Sequence, residues 1–387
     1  MKIVDVAEYY SENGGGIRTY IQAKMKEAAS LGHEIVVVAP GPENFEEEKY
    51  GGRIVWVKGP PVPFYDAYSI MWNMKAIHRV LDREKPDVVE GSSVWAGGQF
   101  AARWRGNAKK VLVFHQDPVA VVLHTSFDKF VSRDRIDSLS SPIWRYIRGL
   151  SKHYDSTMVS GEWLAHRLDQ FGGHKPIATP FGIDKSVFSP EKRTEEKRTE
   201  LLASCGLGPD AALCVIVSRF HPEKRLGTLL NAFKKLQETV DVGLVVYGTG
   251  FMSEKLEKGF RETPGVRLAG FTKDREELAQ VYASADLMLH GSAAETFGLG
   301  VAEAICSGLP IVAPSVGGAA DLVTEQCGAL YGPGDADACK DAALRVIQAG
   351  HGAWQSGLAA RASSIYTIKE HFAELFERYE SMLEQTL

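Results

Sequence analysis

Two carboxylates eight positions apart, Glu295 and Glu303, bracket the stretch Thr296-Phe297-Gly298-Leu299-Gly300-Val301-Ala302 and carry the clearest chemistry in this chain. The apolar run at 285–289 just before them reads as a buried strand, and Gly298-Leu299-Gly300 reads as the start of a helix. A strand, a loop and a helix N-terminus with acidic groups at both ends suit a phosphorylated, hydroxyl-rich ligand. The unpaired N–H groups and positive dipole end attract phosphate, while carboxylates accept hydroxyls. A glycosidase reading needs the two carboxyl groups about 5 Å apart in the retaining case. Eight helical residues instead rise about 12 Å and turn the side chains away from each other. The spacing therefore argues for two contact points on an elongated ligand, such as a nucleotide-sugar with a hydroxyl-rich group at each end.

A second constellation is Ser218-Arg219-Phe220-His221-Pro222-Glu223-Lys224, directly after the apolar run 213–217. Arg offers a bidentate fork and Lys a point charge, the cations a departing diphosphate would need; the plainer reading is a helix-start ion pair with Glu223. A third is Gly14-Gly15-Gly16. As a dinucleotide fingerprint it gives Gly14-x-Gly16-x-x-Thr19 and lacks the third glycine of that pattern. As a loop without Cβ atoms it lets backbone N–H groups approach a substrate, or it is simply a tight turn. His115 ends the run 110–114, a place where a lone histidine is more often structural than chemical.

The elements that must carry these residues alternate. Short apolar runs at 2–6, 34–39, 53–57, 87–90, 110–114 and 156–160 are separated by helical stretches, and the series resumes at 213–217, 242–247, 266–269, 286–289, 310–313 and 329–331. That order means parallel sheets covered on both faces. Ile17, Tyr20, Ile21, Ala28 and Leu31 mark the apolar face of the first helix. A longer helical piece at 127–152 breaks near Ser141-Pro142, and 191–200 is a charge run that reads as a solvated helix start. The Pro- and Gly-rich segment 175–190 is a connector and sets the domain boundary: 1–182 with the C-terminal helix 368–387 on one side, 183–367 on the other.

With 387 residues, 44% apolar and 24% charged, the chain has the composition of a globular protein of two domains, and its net charge of −5 gives no global reason to expect nucleic acid. Five cysteines without a CxxC pair argue against a disulfide framework or zinc site and fit a reducing cytoplasm. No leader-like apolar segment opens the sequence, and no run reaches the roughly 20 residues needed to span a bilayer. Asp335-Ala336-Asp337 has a D-x-D pattern that holds divalent metals elsewhere, yet it opens a helix, where Asp is a favoured cap. The segment 127–153 mixes Lys129, Arg133, Arg135, Arg145, Arg148 and Lys152 with Trp144, Tyr146, Ile147 and Leu150. The segment 60–72 adds Phe64, Tyr65, Tyr68, Ile70, Met71 and Trp72, so that a basic and aromatic surface would suit an anionic membrane and a lipid-linked acceptor.

Glu295 to Glu303 resembles the E-x7-E motif of the retaining glycosyltransferases of family 4, which have the GT-B fold. The glycine loop, the Ser218–Lys224 heptad, Phe181-Gly182-Ile183-Asp184 and a returning C-terminal helix match in order over nearly the whole chain. The resemblance implies two doubly wound, Rossmann-like α/β domains facing across a cleft, the C-terminal helix crossing back to the N-terminal one. It implies that Arg219 and Lys224 hold the donor diphosphate, that Glu295 contacts the donor sugar, and that Glu303 binds the ribose. Backbone amides of Phe297, Gly298 and Leu299 would face the phosphates or sugar, Gly15 and Gly16 would border the cleft from the other domain, and His115 would lie near the transferring sugar. The loops at Gly248 and Phe271 would meet the base.

The expected activity is metal-independent, retaining transfer of a hexose from a nucleoside-diphosphate sugar, of the UDP-sugar or GDP-mannose type, to a hydroxyl acceptor. The acceptor expected is a lipid or lipid-linked glycan of cell-envelope or polysaccharide synthesis. No cofactor or metal is required, and the expected location is the cytoplasm, at the inner face of the cytoplasmic membrane. A sugar-nucleotide epimerase or glycan phosphorylase on a similar fold, and a non-catalytic nucleotide-sugar-binding module, are the alternatives.

Overall fold

The computed structural model describes residues 1–12, 15–63 and 65–385; Gly14 and Phe64 lie outside the described residues. The chain divides into two compact units, Met1–His115 with Leu139–Gly182 and Ile368–Leu387, and Gln116–Ser138 with Ile183–Thr367. The segment Gln116–Ser138, which the sequence reading left in the first half, packs with the second unit. Its Asp128 accepts hydrogen bonds from Arg133, at 3.0 Å, and from Arg225, so an ion cluster anchors the segment there.

Unit one is built on ten strands in chain order: β1 (Lys2–Val6), β2 (Glu34–Gly41), β3 (Phe45–Lys49), β4 (Gly52–Lys58), β5 (Pro61–Val62), β6 (Tyr65–Ser69), β7 (Val88–Gly91), β8 (Lys109–Phe114), β9 (Ser156–Val159) and β10 (Pro176–Ala178). Eight form one sheet in the order β10-β9-β8-β7-β1-β2-β4-β3, parallel except for the antiparallel edge strand β3. β5 and β6 pair separately as a small antiparallel sheet. The β-branched runs of β1, β2 and β7 are buried almost throughout, as strands covered on both faces must be. On one face the helices Gly16–Ser30 and Ile368–Glu384 close the core, with Ile21, Met25 and Ala28 packed against Phe372, Leu375, Phe376 and Tyr379.

The first helix departs from its expected face: Leu31 is its exposed cap residue, and Lys24 is buried instead. Lys24 sits within ion-pair reach of Asp5 at 2.6 Å and of Glu90, both fully buried, and Tyr379 donates to Glu90 at 2.8 Å. Burial alone would strip the lysine of its proton, but the two carboxylates keep it charged. This ion cluster ties β1, β7, the first helix and the last together.

Unit two holds β11 (Ala212–Val217), β12 (Val242–Tyr247), β13 (Val266–Gly270), β14 (Leu287–Leu289), β15 (Ile311–Pro314) and β16 (Gly328–Tyr331), all parallel, in the order β13-β12-β11-β14-β15-β16. Its core gathers Leu229, Leu230 and Phe233 of the helix Leu226–Gln237 with strand residues such as Ile216, Leu244 and Leu287.

Strands β3, β5, β6 and β10 escaped the sequence reading. β10 lies in the segment taken as a connector, and β3 is Phe-Glu-Glu-Glu-Lys, whose charge hides a strand from any apolar-run criterion. The charge run resolves into a short 3₁₀ turn and the helix Glu195–Ser204, capped by the Thr194 side chain accepting from Lys197 N–H.

Candidate active site

Chain order runs outward from β11 to β12 and β13 on one side, while β14 to β16 fill the other. The sheet of unit two therefore has its topological switch point between β11 and β14, which pair through Cys214–Leu287 and Val215–Met288. In open parallel sheets that crevice, beyond the carboxyl ends, is where ligands bind. The residues following these two strands are the Ser218–Lys224 heptad and Glu295.

The heptad forms one 3₁₀ turn, Pro222–Lys224, with Pro at its start and the His221 side chain accepting from the Glu223 N–H. Arg225 ends it in a left-handed conformation, φ 48°, held by its buried pair with Asp128. The turn places the buried Lys224 ammonium on the Glu295 carboxylate and 3.4 Å from Glu223. Arg219 reaches Glu223 at 3.6 Å yet keeps 73% of its side chain exposed, so its guanidinium fork faces solvent.

Burial would raise the Glu295 pKa, but Lys224 and His290 outweigh it and hold it at about 2; Lys224 likewise stays protonated because Glu295 and Glu223 overcome its burial. At neutral pH the pair is ionic. Lys224 and Glu295 stand 71 positions apart in sequence, and their meeting is a product of strand order alone.

Between the glutamates, Gly298 adopts φ +94° and caps the helix Leu299–Cys306. A Cβ at Gly298 would sit 3.2 Å from Ala319, and one at Gly300 would lie 4.0 Å from the Val217 carbonyl, so the helix start abuts the end of β11. Phe297 is buried behind it. Glu303, one face further along, is mostly buried and pairs with Arg275 at 3.3 Å. Burial pushes its carboxyl up to about 7, with Arg275 offsetting only part of the shift. Gly248 follows β12 with φ +145°; its N–H donates to the Gly270 carbonyl at 2.7 Å, and a Cβ there would fall 1.8 Å from the Ser218 carbonyl. Phe271, next to Gly270, is exposed.

Arg219, Lys224, Glu295, Phe297, Gly298, Leu299, Glu303, Gly248 and Phe271 thus all belong to unit two. Gly15, Gly16 and His115 belong to unit one. Gly15 caps the first helix and Gly16 opens it, after β1. His115 follows β8 with its ring edge-on to Tyr20 at 5.6 Å, and burial lowers its pKa to about 4, leaving the imidazole neutral.

Sequence reasoning missed His290, the residue after β14. It is buried, its Nε2 has no hydrogen-bond partner among the described residues, and burial brings its pKa to about 4. The signal that singled out His115, a histidine at a strand end, applied equally here. Arg275, 28 positions from Glu303, carried no such signal.

Asp335 accepts from the Ala338 N–H as a helix cap, and Asp337 pairs with Lys235, so both carboxylates of the D-x-D are engaged. Among the described residues, no group of three or more His, Cys, Asp or Glu is placed to hold a metal ion, and no helix is long and apolar enough to cross a membrane. In the basic and aromatic stretch, Trp144, Ile147 and Leu150 are buried and Tyr146 donates to the Val94 carbonyl, whereas Phe127, Phe130 and Leu139 are exposed.

Two parallel sheets of the nucleotide-binding type, the second with paired cations and a helix start at its switch point, have the architecture of the GT-B fold. Residues 14–187 match the family description Glycosyltransferase Family 4, and residues 211–349 match Glycosyl transferases group 1. The chain belongs to glycosyltransferase family 4. A sulfoquinovosyl transferase of Arabidopsis thaliana is 32% identical over 84% of this chain, which spans 62% of that relative's length. A GDP-mannose-dependent alpha-(1-6)-phosphatidylinositol dimannoside mannosyltransferase of Mycobacterium tuberculosis is 24% identical over 85% of this chain and 83% of its own. Among solved structures, a sucrose-phosphate synthase from Thermosynechococcus elongatus superposes with a TM-score of 0.79 over 100% of both chains at 19% identity.

Proposed function

We infer that this chain moves a hexose from a nucleoside-diphosphate sugar, of the UDP-sugar or GDP-mannose type, to a hydroxyl of a lipid or lipid-linked glycan. The reaction retains the anomeric configuration and requires neither metal nor cofactor. The observation that carries this reading is the Lys224–Glu295 pair at the switch point, beside the solvent-facing Arg219 and the capped helix start. The relatives named above, one acting with GDP-mannose on a phosphatidylinositol glycolipid, supply the donor and acceptor classes.

In this reading the donor diphosphate lies on Arg219, Lys224 and the first N–H groups of the Leu299–Cys306 helix. As the sugar–phosphate bond breaks, those groups stabilise the charge gathering on the diphosphate, while Glu295 accepts sugar hydroxyls and Glu303 the ribose hydroxyls. The acceptor hydroxyl enters on the face from which the diphosphate leaves. Its proton passes to the departing phosphate oxygen, so that no enzymic nucleophile is needed. The protein works in the cytoplasm, peripheral to the inner face of the membrane, in building envelope glycolipid or polysaccharide.

A thermal-shift panel of UDP-, GDP- and ADP-sugars identifies the donor, and NMR of the product then reads the anomeric configuration, with and without EDTA. Retention that survives EDTA is expected. Removing the Lys224 charge with Lys224→Ala lowers the transfer rate by roughly 10²–10³-fold, the usual cost of one preorganised electrostatic group. An unchanged rate in that variant, an inverted product, or loss of activity with EDTA each overturns the part of the reading it addresses. Flotation with anionic liposomes tests the membrane location, and absence of binding removes it.

A further inference from the structure

Unit one contains a cavity of about 710 Å³, within the range of roughly 300–1,000 Å³ typical of small-molecule sites. It opens beyond the carboxyl ends of β2 and β4, on the same edge of the sheet as the Gly15–Gly16 helix start that follows β1. Its inner wall is the stacked pair Phe45 and Trp56, with ring centroids 5.6 Å apart, against which Gly41 packs so closely that a Cβ there would lie 3.0 Å from the Trp56 ring. Its outer wall comes from the β5–β6 hairpin and the residues after it, Tyr68, Ser69 and Trp72. These are drawn close because Ile70 N–H donates to the Pro60 carbonyl at 2.7 Å. Trp72 is 66% exposed.

The indole and carboxylate polar atoms around this cavity are already engaged. Trp56 Nε1 donates to Glu47 at 2.9 Å, and Trp72 Nε1 donates to the Lys58 carbonyl at 3.2 Å, so both indoles present only carbon to the space. Glu12 accepts from Tyr10 at 3.0 Å and pairs with Lys49 at 3.3 Å. A sugar would need donors and acceptors throughout the space to replace its hydration, because unpaired buried hydroxyls are costly, whereas this lining is mostly aromatic and prolyl carbon, with the Tyr68 and Ser69 hydroxyls and the Lys58 side chain among its remaining polar groups. A hydrocarbon chain needs none. Burial of aromatic and prolyl carbon against methylenes is the one interaction this cavity offers in quantity.

We propose that this cavity takes an acyl chain of the lipid acceptor, anchoring the lipid in unit one. The inference rests on the lipid-acceptor reading above and specifies where the apolar part of that substrate binds. Affinity then rises with chain length until the cavity is filled, roughly fourfold for each methylene buried.

The test is calorimetric titration of the full chain with monomeric dihexanoylglycerol and dioctanoylglycerol, with no donor present. The longer lipid should bind on the order of fifteenfold more tightly for the two methylenes that one chain gains. Ser69→Trp, which fills the cavity, should abolish that difference. Trp72→Ala, at an exposed position that leaves the fold intact, should shrink it. Equal affinity for the two lipids, or a chain-length dependence untouched by both variants, overturns the proposal. Binding to phosphatidylcholine vesicles with the same variant profile as the soluble lipids would do so too, since the cavity would then serve bulk membrane rather than acceptor. The two readings fail separately. Glycosyl transfer without any chain-length preference removes the cavity from the acceptor site and leaves the activity standing. Chain-length-dependent binding without transfer from any donor does the reverse.

Discussion

Glu303 shows how burial and function bear on one side chain. Its carboxyl titrates near 7, where Glu295, only eight positions earlier, is ionised down to about 2. A glutamate accepting two ribose hydroxyls does so best as the carboxylate. Donor affinity is therefore expected to rise as pH climbs through about 7, and Glu303→Gln to flatten that rise and weaken binding at pH 8 by about 1.5–3 kcal/mol. Titration with the nucleoside diphosphate from pH 6 to 8.5 measures both. Stability runs the other way. Glu303 holds its proton more tightly folded than at its ordinary value of 4.5, so its contribution is complete below that value and lost as pH rises to about 7. Glu295 contributes above 4.5 and loses its contribution as pH falls towards 2. The identities of these two residues were legible in the sequence; their opposite titration was not, because it depends on Lys224, brought to Glu295 from another strand end, and on the burial of Glu303, which Arg275 only partly offsets.

At the scale of elements, the strand ends are positioned by backbone as much as by side chains. β11 and β12 run side by side, and Gly248 lets the chain leave β12 within contact of Ser218 at the end of β11. Gly248→Ala must accommodate a Cβ only 1.8 Å from a carbonyl oxygen at a φ that side chains avoid, at a cost of roughly 1–3 kcal/mol. If this loop meets the donor base, the variant raises KM for the donor more than it lowers kcat. Gly149→Ala, in open space on the helix Ser141–Ser151, is the matched control and should be neutral or stabilising by up to about 1 kcal/mol. Steady-state kinetics alongside denaturant midpoints would separate the two effects. The buried parallel strands were readable because each is a short, bounded and mostly apolar run. The hairpin β5–β6 was not, since two prolines and a short pairing give it neither period nor length, yet it forms a wall of the cavity described above.

For the whole molecule, the buried cluster of Asp5, Lys24, Glu90 and Tyr379 is the most consequential feature that the sequence concealed. A lysine between Ile21 and Ala28 interrupts an otherwise apolar helix face, and nothing in its neighbours announces two carboxylates from β1 and β7. Lys24→Met leaves those carboxylates buried without a counter-charge, expected to cost about 3–5 kcal/mol, whereas Tyr379→Phe removes one hydrogen bond to a charged group and costs about 1.5–3. Hydrogen exchange at β1 and β7 should register both in that order.

The two units are also interleaved along the chain, which passes between them after His115, Ser138, Gly182 and Thr367. Its last pass delivers Phe372, Phe376 and Tyr379, which complete, beside the first helix, the cover over one face of the sheet of unit one. On the ribosome, at ~5–20 residues per second, the β1–β8 portion waits more than ten seconds for that helix to be made. Throughout that interval Lys24, Asp5 and Glu90 are assembled without their lid, so unit two, whose strands are contiguous in the chain, is positioned to finish folding before the half of the protein that was synthesised first.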